Sequence, residues 1–179
     1  MDRAPNLVLV GPMGAGKTSI GRCLAERCGL DFVDSDQRVE ASTGADVATI
    51  FDCEGEAGFR SRERELLATV LAGRGQVVAT GGGAVLDAGT RKLMRERGFV
   101  VHLRVGGQEQ LERLSRDRTR PLLARADRGV ALEELAAARG PLYEEVADLT
   151  FDTDGLGPGD ACIRLGRLLQ VHWRCGAIA

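Results

Sequence analysis

The sequence predicts an α/β fold in which a parallel sheet is covered by helices on both faces. Short apolar runs alternate along the chain with segments in which apolar residues recur at helical spacing. A glycine-rich loop joins the first of these runs directly to the first helical segment. The chain has 179 residues, of which 44% are hydrophobic, so it is long enough to bury a core. We therefore expect residues 1–179 to form a single domain.

Five short segments have the length and apolar content of strands buried in a sheet. They are Asn6–Val10, Asp31–Asp34, Gln76–Thr80, Phe99–Val105 and Leu149–Asp152. The predicted helices are Lys17–Cys28, Asp36–Ser42, Asp46–Cys53, Glu56–Leu71, Asp87–Arg97, Gln108–Arg116, Leu132–Ala147 and Asp160–Trp173. Apolar residues at helical spacing support them, as Ile20, Leu24 and Cys28 do in the first. Gly140 and Pro141 lie inside the seventh, where we expect a kink or a break.

The charge balance excludes some classes of function. The formal net charge is −2 and the pI is about 5.8, which argues against a general nucleic-acid binder. Lys17 and Lys92 are the only lysines among 24 basic residues, so anion recognition has to come mainly from a few placed arginines. No apolar window reaches the roughly 18 residues that a transmembrane helix needs, so no membrane segment is predicted.

The five cysteines show no pattern of a disulfide framework or a zinc site. Their number is odd, no pair has the C-x2-C spacing, and the N-terminal residues lack the features of a secretion signal. We therefore expect a cytoplasmic protein with reduced thiols.

A loop with the pattern G-x4-G-K-[ST] runs from Gly11 to Thr18, between the first strand and the first helix. Its glycines allow successive backbone N–H groups to turn toward phosphate oxygens, and the helix dipole adds positive potential. Lys17 can reach the β- and γ-phosphates, and the Thr18 hydroxyl can ligate Mg²⁺. The residues expected to bind ATP here are Gly14, Ala15, Gly16, Lys17, Thr18 and Ser19.

The alternative for this loop is a strand-to-helix turn that binds no ligand. Among nucleotide-binding proteins, the residues exclude several classes. Asn6 is the only asparagine, so the N-K-x-D motif of GTPases and the catalytic-loop asparagine of protein kinases are both missing. The third strand ends in glycines rather than in an acidic pair, which argues against a motor or AAA-type ATPase. A small-molecule kinase with a second substrate pocket remains.

Polar residues after the second strand and in a later helix are candidates for that second pocket. Asp34 and Asp36 follow a strand end, where ligands bind in open α/β sheets. One carboxylate can orient Mg²⁺ through water and the other can accept hydrogen bonds from substrate hydroxyls. Alternatively, Ser35 or Asp36 caps the next helix. Arg60 has Glu63 as a partner three residues later, although such a pair can equally be a solvated surface pair.

Five further motifs follow the loop in a fixed order. They are D-S-D at 34–36, F-R at 59–60, G-G-G-A-V at 81–85, T-R-P-L-L at 119–123 and R-x-P-L-Y at 139–143. Each motif is weakly specific alone, but together they resemble the shikimate kinase family, which belongs to the nucleoside-monophosphate-kinase-like group of P-loop proteins. The resemblance covers nearly the whole chain.

The resemblance implies a three-layer fold with a five-stranded parallel sheet in the order 2-3-1-4-5. It implies a substrate-binding segment at about 34–64 and a lid at about 113–128. It also implies transfer of the ATP γ-phosphate to the 3-hydroxyl of shikimate, on the route to chorismate and the aromatic amino acids. The products would be 3-phosphoshikimate and ADP, and Mg²⁺ would be the cofactor. We expect a monomer with ATP and shikimate as its partners.

The resemblance also implies roles for the residues that match its motifs. The implied catalytic residues are Lys17, Asp36 and Arg120. Shikimate would contact Asp36, Arg60, Gly82 and Arg139, with Glu63 placing the two arginines. Beyond the loop, ATP would contact Arg113, against adenine, and Arg120, which would close over the phosphates with the lid. Thr18 and Asp34 would hold Mg²⁺.

Two other functions compete with this one. A gluconate kinase-like enzyme would also act on a carboxylate with hydroxyls, but Arg60 and Arg139 together with the D-S-D and G-G-G motifs favour shikimate. A catalytically silent P-loop paralogue would be a binding or regulatory module. The presence of Lys17, Thr18, Asp36 and Arg120 argues against that interpretation, because a silent copy is free to lose such groups.

Overall fold

The computed structural model describes residues 4–115 and 127–173. In these residues five strands form one parallel sheet, in the order β2-β3-β1-β4-β5. The strands are β1 Asn6–Val10, β2 Asp31–Asp34, β3 Gln76–Ala79, β4 Gly98–Arg104 and β5 Leu149–Asp152. The predicted strands and their order are confirmed.

Helices cover both faces of the sheet, which confirms the three layers. They are α1 Lys17–Cys28, α2 Ser35–Thr43, α3 Val47–Ala72, α4 Ala88–Arg97, α5 Gly107–Leu114, α6 Arg128–Val146 and α7 Pro158–His172, with a 3₁₀ turn at Ala84–Leu86. Strand β1 is central and fully buried. Leu7 and Leu9 pack toward α1 and α7, whereas Val8 and Val10 pack toward α3, α4 and α6.

The sheet places its loops where the sequence predicts a site. All five strands are parallel, so their carboxyl ends lie along one edge of the sheet. Strand β1 pairs with β3 on one side and β4 on the other, and β2 pairs with β3. The loops after β1, β2 and β3 are therefore neighbours at that edge.

The interruption predicted between the third and fourth helices is present, whereas the break considered at Gly140 and Pro141 is not. The predicted helices Asp46–Cys53 and Glu56–Leu71 belong to one element, α3, which is interrupted at Gly55. Gly55 has φ 71° and ψ 179°, a conformation that glycine adopts without a steric cost. In α6, Gly140 and Pro141 do not end the helix. Burial of Tyr143 and Val146 after the proline offsets the hydrogen bond that Pro141 cannot donate.

Cys23 of α1 and Cys162 of α7 form a disulfide, with their Cα atoms 6.2 Å apart. The expectation of reduced thiols is wrong for this pair. The two residues are 139 positions apart in sequence. Only the packing of α1 beside α7 on one face of the sheet brings them together, so no local cysteine spacing could indicate the pair.

No helix in the described part of the chain is long and apolar enough to cross a membrane.

The disulfide should raise the free energy of unfolding by about 2–4 kcal/mol, because the cross-link restricts the unfolded chain. Urea unfolding with and without dithiothreitol measures this difference. Cys53→Ser removes an exposed thiol outside the disulfide and should show the same difference. Equal unfolding midpoints, with the same thiol count before and after reduction, would contradict the pairing.

Candidate active site

The loop after β1 depends on its glycines. Gly11, Gly14 and Gly16 have positive φ values, of 142°, 79° and 91°. A Cβ atom on Gly11 would lie 2.3 Å from the carbonyl oxygen of Leu103, so the backbone approaches β4 too closely for a side chain. Gly16 immediately precedes α1, so the positive end of the α1 dipole lies at the loop. This is the geometry of an anion-binding loop.

Lys17 extends over the loop that precedes it. Its Nζ atom donates to the carbonyl oxygen of Gly11 at 2.7 Å and to that of Pro12 at 2.8 Å. The ammonium group is therefore held beside the curve of the loop. A cavity of about 200 Å³ adjoins it and is lined by Gly14, Gly16, Lys17, Thr18, Ser19, Asp34, Asp36, Thr80, Gly81 and Gly82.

Asp34 connects the loop to the start of α2. Its Oδ2 atom accepts a hydrogen bond from the Thr18 hydroxyl at 2.7 Å. Its Oδ1 atom accepts from the backbone N–H groups of Asp36 and Gln37, at 3.1 and 3.2 Å. Asp34 is thus the N-cap of α2, and the alternative that Ser35 or Asp36 caps this helix is wrong.

Thr18 and Asp34 also fit a magnesium ion. Their side-chain oxygens lie 2.7 Å apart beside Lys17, and both are hard oxygen donors of the kind that Mg²⁺ prefers. Among the described residues there is no cluster of three or more His, Cys, Asp and Glu that could hold a metal alone. That agrees with the usual Mg²⁺ site at a nucleotide, where few protein ligands act together with water and phosphate oxygens.

A second cavity, of about 550 Å³, adjoins the first. Four predicted substrate-binding residues line it, namely Asp36, Arg60, Gly82 and Arg139. Thr18, Asp34 and Asp36 line both cavities. The structure therefore brings the predicted residues of the two pockets together at one edge of the sheet. Asp36 lies where the two cavities meet.

Arg60 and Glu63 form an ion pair beside the second cavity. Nη1 of Arg60 lies 2.5 Å from Oε2 of Glu63, and Glu63 is only 1% exposed. The alternative of a solvated surface pair is therefore wrong. Burial raises the pKa of the Glu63 carboxyl, and the neighbouring Arg60 charge opposes this shift. Glu56 approaches both arginines, at 3.5 Å from Nε of Arg60 and 3.9 Å from Nη2 of Arg139.

The three glycines after β3 cover this ion pair with backbone alone. A Cβ atom on Gly81 would lie 2.2 Å from Oε1 of Glu63, and one on Gly83 would lie 2.2 Å from Nη2 of Arg60. A side chain at either position would displace the ion pair. The G-G-G motif is therefore more than a flexible turn, because the charged groups fill the space that a Cβ atom would need.

Two residues that were not predicted to support the glycine loop hold it in place. The Ser35 hydroxyl accepts a hydrogen bond from the backbone N–H of Gly81 at 2.9 Å. The Tyr143 hydroxyl donates to the carbonyl oxygen of Gly82 at 2.5 Å. Both residues are buried. Tyr143 follows Arg139 by four positions, so both lie on one face of α6. That spacing could have indicated from the sequence that Tyr143 lies near the site.

Tyr143 is packed between Arg139 and a histidine. The His102 ring stacks on it, with the ring centroids 5.1 Å apart. Burial raises the pKa of Tyr143 to about 12, and the nearby Arg139 opposes the shift. Burial also lowers the pKa of His102. Tyr143 is therefore a protonated hydrogen-bond donor at neutral pH.

Arg113 lies beside the nucleotide loop and is held by protein groups. It donates to the carbonyl oxygen of Gly14 at 3.1 Å and to the carbonyl oxygen of Thr153 at 2.7 Å. It also pairs with Glu109 on α5. The structure thus ties Arg113 to the loop and to the residues after β5, and its contact with adenine stays a prediction. Arg120 and the T-R-P-L-L motif lie outside the described residues.

Several known proteins similar to this chain are shikimate kinases. Residues 13–168 match the family model described as shikimate kinase. Over 174 residues the chain is 60% identical to the shikimate kinase of Stenotrophomonas maltophilia strain K279a, with 97% of each chain covered. The fold resembles that of shikimate kinase from Acinetobacter baumannii in complex with shikimate, with a TM-score of 0.88 and 45% identity over 93% of this chain and 92% of that one. For the shikimate kinase of Bacteroides thetaiotaomicron the TM-score is 0.85 and the identity 30%, over 93% and 98% of the chains.

Tyr143 is the only tyrosine, so its ionisation can be followed directly. We expect absorbance at 295 nm after rapid pH jumps to show one step at a pKa of about 12 in the folded protein, against about 10 after unfolding in urea. Because the folded state holds the proton more tightly, stability should fall as the pH rises from about 10 to about 12. A step near pH 10 in the folded protein would contradict the buried hydrogen bond.

Proposed function

This chain belongs to the shikimate kinase family, and we propose that its two adjoining cavities hold ATP and shikimate side by side. It is an ATP-dependent small-molecule kinase that transfers the γ-phosphate of ATP to the 3-hydroxyl of shikimate, giving 3-phosphoshikimate and ADP. One observation carries the proposed arrangement, namely that Thr18, Asp34 and Asp36 line both cavities.

The nucleotide loop holds the phosphates of ATP in this proposal. The backbone N–H groups from Gly14 to Ser19 and the N-terminal end of α1 face the phosphate oxygens. Lys17 supplies a positive charge at the β- and γ-phosphates. Phosphoryl transfer needs mainly alignment and neutralisation of charge, so these groups provide much of the catalysis.

Thr18 and Asp34 would hold Mg²⁺ beside the phosphates, Thr18 directly and Asp34 through water. The bound ion would neutralise charge on the β- and γ-phosphate oxygens. Their mutual hydrogen bond keeps the two oxygens close together and on the side of the loop that adjoins the second cavity.

Arg60 and Arg139 bind the carboxylate of shikimate in this proposal. A guanidinium group suits a carboxylate because its planar fork can donate two parallel hydrogen bonds. Glu63 supports the site by fixing the Arg60 guanidinium group, with Oε2 of Glu63 lying 2.5 Å from Nη1 of Arg60. Arg139 lies on α6, so the two arginines approach the cavity from different helices. Gly82 contacts the substrate through its backbone.

Asp36 accepts hydrogen bonds from the shikimate hydroxyls, including the one that reacts. It lies against Gly81, since a Cβ atom there would be 2.8 Å from its Oδ1 atom. Because Asp36 lines both cavities, a hydroxyl that it holds would lie next to the γ-phosphate. The carboxylate can then accept the proton as the new P–O bond forms.

Further parts of the proposal rest on the sequence. Residues 1–179 act as one domain and as a monomer, with a substrate-binding segment at about 34–64. Arg113 contacts adenine, and Arg120 in the lid at about 113–128 closes over the phosphates. The protein acts in the cytoplasm.

An acceptor assay tests the function. ATP consumption is measured with shikimate, with gluconate and with no acceptor. We expect turnover with shikimate and little without an acceptor. Turnover with gluconate but not with shikimate would overturn the assignment, and no turnover with any acceptor would favour a silent paralogue.

Lys17→Ala should abolish transfer, because the β- and γ-phosphates lose the ammonium group that neutralises their charge. The far-UV circular dichroism spectrum should be retained. Lys92→Ala is the matched control, since Lys92 is an exposed residue of α4 paired with Glu96. A kcat for Lys17→Ala within about twofold of the unmodified enzyme would show that the loop assignment is wrong.

Arg139→Lys should raise the shikimate KM by roughly tenfold or more, because an ammonium group cannot replace a bidentate fork. The KM for ATP should change little. Arg62→Lys is the control, because Arg62 lies on α3 and pairs with Glu54 on the surface. An unchanged shikimate KM would exclude Arg139 as a carboxylate ligand.

A further inference from the structure

Every carbonyl oxygen of the Gly81–Gly83 loop accepts a hydrogen bond from the protein. Gly81 accepts from the N–H of Ala84 at 3.1 Å, and Gly83 accepts from the N–H of Leu86 at 3.0 Å. Gly82 accepts from the Tyr143 hydroxyl at 2.5 Å. Each carbonyl group of the loop is therefore held in its direction by a hydrogen bond within the protein.

Of the three backbone N–H groups in the same loop, only one donates a hydrogen bond to a described residue. The N–H of Gly81 donates to Ser35. Among the described residues, none accepts a hydrogen bond from the N–H of Gly82 or of Gly83. Both glycines line the 550 Å³ cavity. Gly83 is buried and Gly82 is half-buried. A buried N–H group is seldom left without an acceptor, so the Gly83 donor in particular favours a ligand with acceptor oxygens.

We propose that Tyr143 is a positioning residue for the acceptor substrate, which it influences through Gly82 without touching the substrate. Its hydroxyl holds the Gly82 carbonyl oxygen on the α6 side, and this fixes the orientation of the peptide between Gly82 and Gly83. In a trans peptide the N–H of the next residue points away from the carbonyl oxygen, so this bond also sets the direction of the Gly83 N–H. The inference rests on the proposed function, which places shikimate in this cavity.

A triglycine loop needs such an anchor. Glycine has the widest conformational freedom of all residues, so the peptide between Gly82 and Gly83 can rotate at little steric cost. Rotation would turn a carbonyl oxygen toward a cavity whose ligand carries oxygen atoms and a negative charge. The Tyr143 bond opposes this rotation, because breaking it would leave the buried Tyr143 hydroxyl without its acceptor.

Tyr143 itself is held firmly. Arg139 lies one helical turn earlier on α6, and its positive charge opposes the rise in the pKa of the Tyr143 hydroxyl. The His102 ring stacks on its ring with an interplanar angle of 29°. One turn of α6 thus carries both an arginine assigned to the substrate carboxylate and the tyrosine that orients the opposing backbone. Movement of this turn would change both contacts together.

Tyr143→Phe removes the hydroxyl and keeps an aromatic ring that can stack on His102, so it tests the hydroxyl alone. We expect the shikimate KM to rise roughly five- to twentyfold, the scale of one lost buried hydrogen bond, while the ATP KM changes less than about twofold. Thr69→Val is the control, because it removes an exposed hydroxyl that donates to the Glu65 carbonyl. An unchanged shikimate KM, or equal changes in both KM values, would overturn the proposal.

The Arg139→Lys variant distinguishes this failure from failure of the proposed function. If Arg139→Lys raises the shikimate KM and Tyr143→Phe does not, the cavity assignment stands and the role of Tyr143 is wrong. If neither variant raises it, shikimate does not bind as proposed.

A second measurement covers the case in which Tyr143→Phe does not fold. Because Tyr143 is the only tyrosine, growth on 3-fluorotyrosine places one fluorine label at this position and keeps the hydroxyl. We expect saturating shikimate to shift the single ¹⁹F resonance of the full chain. Gluconate, which is not the acceptor in the proposed function, should leave the resonance in place. Absence of a shift with saturating shikimate would overturn the proposal.

Discussion

The site depends on one buried ion pair, between Arg60 and Glu63. Transfer of a carboxylate into the interior is costly, and the raised pKa of Glu63 reflects that cost. Arg60 at 2.5 Å offsets it and is itself fixed as a result. The Gly81–Gly83 loop can lie on the pair only because Gly81 and Gly83 lack side chains. The pair therefore determines both the direction of an arginine and the path of the loop that faces the cavity.

A second connection joins this region to the nucleotide loop. Asp34 caps α2, which begins the proposed substrate-binding segment, and accepts a hydrogen bond from Thr18 at the start of α1. The parallel sheet brings these groups to one edge, because β1, β3 and β2 are neighbours and point the same way. Two anionic substrates can then approach each other where positive groups converge. This explains how a chain with a net charge of −2 handles anions.

Local signals in the sequence were sufficient for most of the fold, and many of the predicted site residues line the two cavities. The strands, their alternation with helices and the loop before Lys17 each depend on neighbouring residues, and the family motifs supplied the strand order. Contacts distant in sequence were missed. Ser35 and Tyr143 act on a loop 46 and 61 positions away, and Cys23 meets Cys162 only because two helices pack together. The interruption of α3 at Gly55 coincides with the predicted gap between two helices at 54–55.

The most direct test of this account is the Glu63→Gln variant, assayed for shikimate KM and ATP KM at fixed ionic strength. Glutamine keeps the size of the side chain and removes the charge that fixes Arg60. The account predicts a rise in the shikimate KM of roughly tenfold with little change in the ATP KM, whereas Glu65→Gln, exposed on the same helix, should change neither. An unchanged shikimate KM in a folded Glu63→Gln protein would contradict the central role of the ion pair.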